Sequence, residues 1–167
     1  MRIAFAFLSL IFAAAPALAV DNPKNIGTFN SWSVWKYKQK ARNRCFIYSN
    51  PAKSMPAKLD HGLVSFFIRS TQRTELRSEA SLQVGYPLKE KQEARLVVDG
   101  EKFRLFASGK GAWLAKGGTR ERDLLEAMKV GKTMTITARS ARGNETGYVF
   151  PLAGVTEAMK RLRTVCP

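Results

Sequence analysis

Between Thr133 and Ala138 the chain alternates strictly: Met134, Ile136 and Ala138 fall on one side, Thr133, Thr135 and Thr137 on the other. A period of two belongs to a pleated strand with one face on a core and one toward water. Thr and Ile both suit such a surface. The segment Ser140-Ala-Arg-Gly-Asn-Glu-Thr146 then reverses the chain, with Gly143-Asn144 as its turn signal, and Tyr148-Val149-Phe150 starts a return strand. The expectation is a β-hairpin with a polar, basic tip. Arg139, Arg142 and Asn144 lie at or near that tip and are the candidate partner-binding residues, because loops on rigid supports commonly carry function. Ahead of the hairpin a helix is expected from about Arg120 to Val130, capped by Thr119 and stopped by a left-handed Gly131. Leu124, Leu125 and Met128 form its inner face.

The same alternation recurs upstream. Trp32 and Val34 oppose Trp35 and Tyr37, as in a strand covered on both sides, and Cys45–Ser49 reads as its hairpin partner. Val64, Phe66 and Ile68 share one face of a strand, and so do Ala80, Leu82, Val84 and Tyr86. Asp99-Gly100 supplies the positive φ values of a tight two-residue turn, which makes Arg95–Phe106 the clearest hairpin in the chain. Near the end, Val155, Ala158, Met159, Leu162 and Val165 recur at helical spacing, with Cys166 on the same stripe. The expected fold is all-β: eight or nine short strands in a β-sandwich or partly closed antiparallel barrel, with two short helices, one C-terminal.

Residues 1–19 read as a cleaved signal peptide: Met1-Arg2, an apolar run from Ile3 to Ala14, and the small-residue site Ala17-Leu18-Ala19. The apolar run is too short to span a membrane, so no transmembrane segment is expected after cleavage. Residues 20–167 are of ordinary size for a single domain, and no repeat or linker divides them. Two cysteines in an exported chain most simply form one disulfide, Cys45 with Cys166. A redox pair and an intermolecular bridge are the alternatives, but Cys-x-x-Cys spacing is absent.

Catalytic signatures are missing. The sole histidine, His61, lies in a Pro-flanked loop from Asn50 to Gly62 and is expected to be exposed, and no set of zinc ligands accompanies it. There is no Gly-x-Ser-x-Gly elbow and no His-Glu-x-x-His. Gly109-Lys110-Gly111 lacks P-loop spacing and reads as a turn. No enzyme activity, metal or cofactor is expected, although carboxylates distant in sequence can still pair in space, which keeps a hydrolase as an alternative.

Charge says more. The chain carries 28 Lys and Arg against 13 Asp and Glu, a formal net charge of +15. Such a surface attracts anionic partners at long range. Export separates it from cytoplasmic nucleic acid, so no nucleic-acid partner is expected; anionic lipid head groups, glycans or an acidic protein fit better.

Several stretches resemble one family. Met-Lys-x-Gly-x-x-Met-Thr from Met128, Ser140-Ala-Arg-Gly143, the opening Gly27-x-Phe-x-x-Trp-x-Val, the Gly85-Tyr-Pro step and the terminal helix ending in Cys166 are similar to the invasion associated locus B family. The resemblance runs from about Gly27 to Cys166. It departs after Thr146, where this chain has Gly-Tyr-Val-Phe-Pro-Leu, and at Val155, where Phe is common in the family. It implies an exported, non-enzymatic interaction protein, periplasmic or secreted or associated with the outer membrane, linked to host-cell invasion or to envelope interactions. Its partner is then an anionic envelope component or a host or bacterial protein. A periplasmic envelope-maintenance factor is the second expectation.

Overall fold

Alternating apolar residues dictate strands, and the turns between them decide which strands pair. In the computed structural model, which describes residues 22–40, 42–71, 78–114 and 118–166, the opening segment forms β1 (Lys24–Phe29) and β2 (Trp32–Gln39). The expected hairpin partner follows as β3 (Arg42–Ser49). Next come β4 (Lys53–Met55), β5 (Ser65–Ser70) and β6 (Ser78–Gln83). The Asp99-Gly100 turn joins β7 (Glu93–Val98) to β8 (Glu101–Ser108), and β9 (Gly111–Leu114) pairs back on β8. Helix α1 (Gly118–Val130) leads into β10 (Thr133–Arg139) and β11 (Glu145–Pro151), and α2 (Val155–Val165) closes the chain.

All eleven strands belong to one antiparallel sheet ordered β1-β2-β3-β5-β6-β9-β8-β7-β10-β11-β4. The sheet coils without closing, and its two ends meet across the core. Phe66 of β5 packs on Phe150 of β11 at 6.0 Å between ring centroids, and Trp32 meets Phe66 edge-on. The Trp32 indole N–H donates to Pro151 O at 3.0 Å, so the first residue of β2 is tied to the last of β11. The described residues form eleven strands where eight or nine are expected. Asn30, at φ 48°, breaks the opening segment into β1 and β2, and β4 is a short edge strand inside the expected loop.

Helix α2 covers the inner side of β1, β2 and β3 with Val155, Ala158, Met159 and Leu162, all buried. Its entry depends on Gly154 at φ 91°: a Cβ there would lie 1.9 Å from Phe29 O. In α1, Leu124 and Met128 are buried as expected, while Leu125 is half-buried. Gly131 corrects its expectation. Its φ is not in the left-handed region; a Cβ there would sit 2.6 Å from Val98 Cγ1, so glycine is needed for close approach rather than for a cap.

At the predicted hairpin turn Asp99 and Gly100 have φ 41° and 103°. The Asp99 carboxylate also accepts from the Lys132 and Thr133 N–H groups at 2.6 and 3.1 Å, which fixes where β10 begins. Residues 1–21, with the signal-peptide expectation, lie outside the described residues, as do Arg73, Arg77 and the Thr119 side chain. Among the described residues no helix is long and apolar enough to cross a membrane.

Candidate functional site

The cysteines meet as expected. Cys45, buried on the inner side of β3, is bonded to Cys166 just after α2, with Cα atoms 6.0 Å apart and a sequence separation of 121. The bridge anchors α2 to the sheet at the end opposite Gly154, so the helix is held at both ends.

At the β10–β11 tip, Glu145 already belongs to the return strand, which therefore starts three residues before Tyr148. Register pairs Arg139 with Glu145; their charged groups are 3.9 Å apart, and Arg139 also donates to Gly143 O at 3.4 Å. Arg139 thus braces the turn it borders. Asn144 is held by its backbone: its N–H donates to Ser140 Oγ, and its carbonyl accepts from Ser140 N–H. Arg142 is exposed at the apex. The three candidates are therefore together in space, but two of them contribute to the shape of the turn.

His61 contradicts its expectation: it is buried, 9% exposed. The loop carrying β4 folds against β11, and the imidazole packs edge-on against Tyr148. His61 Nε2 lies 3.0 Å from Pro56 O and Nδ1 3.0 Å from Tyr148 Oη. Tyr148 in turn bonds Tyr86, which donates to Thr146 at 2.7 Å, and Thr146 donates to Ala138 O. Carbonyl acceptors end this chain of five contacts on both sides. Burial and the bond it donates to Tyr86 push the Tyr148 phenol above its ordinary range. The network fastens the loop to the sheet, and no cluster of three or more metal-ligating side chains occurs among the described residues.

Sequence reasoning missed the principal surface. Trp35 and Tyr37 are expected under a second layer, yet they are half-buried on an outer face that no sheet or helix of the described residues covers. Cross-strand register aligns them with Phe46 and Tyr48 of β3 and Phe67 of β5. Neighbouring rings lie 5.6–6.4 Å apart, with Tyr48 stacked on Phe67. Trp113 of β9 extends the surface, and Gly111 makes room for it: a Cβ at Gly111 would meet the indole at 2.3 Å. A hollow of about 390 Å³ opens there, where Phe67 and Trp113 stand beside Ser81, Gln83 and the Arg69–Glu79 ion pair. Alternation already puts Trp35 and Tyr37 on the face opposite Trp32 and Val34; that this face is the outer one is decided by the sheet as a whole.

A second hollow, of about 410 Å³, lies between the helices and is lined by Lys129 of α1 with Lys160 and Arg163 of α2. Thr156 and Thr164 complete its lining, and no carboxylate takes part. The paired carboxylates that a hydrolase would need occur in neither hollow, since Glu79 is the one acid in the first and is salt-bridged.

These features define a disulfide-stapled, open β-sheet module whose outer surfaces, rather than an enclosed cleft, are available for contact. The chain belongs to the invasion associated locus B (IalB) protein family, whose model matches residues 32–163. Its fold is similar to the crystal structure of invasion associated protein b from Bartonella henselae, with a TM-score of 0.63 at 15% identity over 83% of this chain and 95% of that one. No curated protein matches the chain in sequence.

Proposed function

We propose that this IalB-family protein is exported to the periplasm or beyond and acts without catalysis, by binding an anionic envelope component or an acidic host or bacterial protein. The observation that carries the reading is the convergence of Lys129, Lys160 and Arg163 from two helices on one hollow without a lining carboxylate, in a chain of net charge +15. Glu126 pairs with Lys129 and neutralises part of this charge; the cations that remain attract anions and lose that attraction as salt rises. Exposed Arg142 adds a donor fork suited to carboxylate or phosphate. The buried disulfide agrees with an oxidising compartment.

Binding of the mature protein to vesicles containing phosphatidylglycerol, compared with phosphatidylcholine alone, tests the reading. Binding should require the anionic lipid, fall with salt, and weaken several-fold in Arg142→Gln and in Lys160→Gln/Arg163→Gln, with melting temperatures nearly unchanged because exposed charges contribute little to folding. Equal binding to both vesicles, together with no salt-sensitive capture of acidic proteins, would overturn it. Cell fractionation then separates two roles: release supports action on host cells, and retention supports envelope maintenance.

A further inference from the structure

The outer aromatic face is larger than folding requires. Trp35, Tyr37, Phe46, Tyr48, Phe67 and Trp113 lie side by side on neighbouring strands, all half-buried, and Phe106 beside Trp113 is 49% exposed. A contiguous apolar surface on an otherwise strongly charged protein marks a contact site. Its chemistry is mixed at short range. The hollow beside Phe67 and Trp113 offers a hydroxyl from Ser81, an amide from Gln83, a guanidinium from Arg69 and a carboxylate from Glu79. At the seam of β2 and β3, Trp35 Nε1 and Arg44 Nε are covered and have no acceptor. A donor left in that state costs about 1–3 kcal/mol, so this seam is not optimised for folding alone.

We propose that this face binds an acidic saccharide chain, with sugar rings laid on Phe67 and Trp113 and carboxylates drawn to Arg44 and Arg69. A pyranose has an apolar C–H face for an aromatic ring and a rim of hydroxyls that both donate and accept. That rim matches Ser81, Gln83 and Glu79, and a carboxylate on the sugar matches the protein's positive charge. Other occupants fit less well. An extended peptide adds to a sheet edge rather than to a face; of the edges here, β1 borders the aromatic strands and β4 lies at the other end of the sheet. A second copy brings a second charge of +15. Single-stranded nucleic acid uses the same combination of stacking and charge, and is therefore the competitor to exclude. The inference rests on the reading of the protein as an exported binding module and names a second recognition surface on it.

The chain contains three tryptophans, which supply a test in the unaltered protein. Trp35 and Trp113 are on the face, whereas the indole of Trp32 is buried and bonded to Pro151 O. In NMR titrations of the mature, oxidised protein with a galacturonate hexamer, the indole N–H signals of Trp35 and Trp113 should shift and that of Trp32 should not. Maltohexaose, which has no carboxylates, should bind at least about tenfold more weakly. Phe67→Ala and Trp113→Ala should weaken hexamer binding about tenfold or more, in the range of an aromatic anchor, while Lys53→Gln, at an exposed position on the far edge strand β4, stays within about twofold. Should either aromatic variant fail to fold, the indole shifts of the parent protein decide the matter.

Unmoved face signals, equal binding of both sugars, or loss in Lys53→Gln matching that in the aromatic variants would overturn the proposal. Tighter binding of an oligo(dT) to the same face would do so too, as would a dimer abolished by Phe67→Ala. None of these results touches the anionic-vesicle arm through Arg142 and the helix hollow, so the two readings fail separately.

Discussion

Two halves of the same sheet share one inward pattern and differ outward. On β2, β3 and β5 the inward residues Val34, Ile47 and Ile68 are buried, and on β7, β8 and β10 so are Leu96, Phe103 and Ile136. Outward, the first half carries Trp35, Tyr37, Phe46, Tyr48 and Phe67. The second carries Thr133, Thr135 and Thr137 beside Arg95, Lys102 and Arg104, with Arg95 directly opposite Arg104 in the register. Threonine and arginine hold a solvent-facing strand well enough. The aromatic half therefore exceeds what a stable strand needs, and the excess is the reason to assign contact to that half. Like charges facing across β7 and β8 are mildly unfavourable, so the polar half also reflects a demand other than stability.

The largest expected effect breaks the comparison at the disulfide, which lies beneath the aromatic half only. Cys45→Ala/Cys166→Ala should lose on the order of 4 kcal/mol on the loop-entropy account, and often less in practice. Denaturant unfolding measures the loss. Hydrogen exchange should quicken in β1 to β3 and α2 well before it does in β10 and β11; uniform quickening would show that the two halves do not differ in this dependence.

The next effect lies on the inward side of the polar half. Tyr148→Phe leaves His61 Nδ1 and Tyr86 without their shared hydroxyl and should cost about 1–3 kcal/mol near neutral pH. The folded state raises the Tyr148 phenol above the unfolded value of about 10. Its contribution is thus fully present below that pH and is lost as pH rises beyond it, because the unfolded chain ionises first. Thermal melts from pH 8 to 11 should show this decline in the parent protein and a shallower one in Tyr148→Phe. Parallel curves would remove Tyr148 as its source.

The smallest effect sharpens the comparison on the outer face itself. Phe67→Thr should cost only about 1 kcal/mol, the value of one cross-strand aromatic contact, and Thr135→Val should stay within about 0.5 kcal/mol. If melts instead show Phe67→Thr unfolding the protein, the aromatic surface is also a structural layer, and the indole shifts of the parent protein decide whether it makes contact as well.

Much of this could be read from residue order. The alternation at Met134, Ile136 and Ala138, the Asp99-Gly100 turn and the apolar stripe of α2 are local patterns, and each appears where periodicity places it. The cysteine pairing followed from there being only two. At the candidate site the outcome is mixed. Arg139, Arg142 and Asn144 do cluster at one hairpin tip, but the bracing of Arg139 by Glu145 was one of two readings that residue order left open. His61 was misjudged because Pro56 and Gly62 signal a loop, and a loop signal does not say what the loop lies against.

What the sequence by itself determined is therefore the inventory: antiparallel strands, their inward residues, the tight turns, the amphipathic last helix and the family. These depend on interactions a few residues long, where pleat, helical pitch and turn chemistry act directly. Tertiary structure alone decided that one sheet would coil until Phe66 met Phe150, that α2 would line its inner side, and that Trp35, Tyr37 and Phe67 would be left uncovered. Alternation tells a strand's two faces apart but carries no information about what covers each of them. That depends on how far eleven strands twist and coil around a single core, and the coil is a sum over the whole sheet.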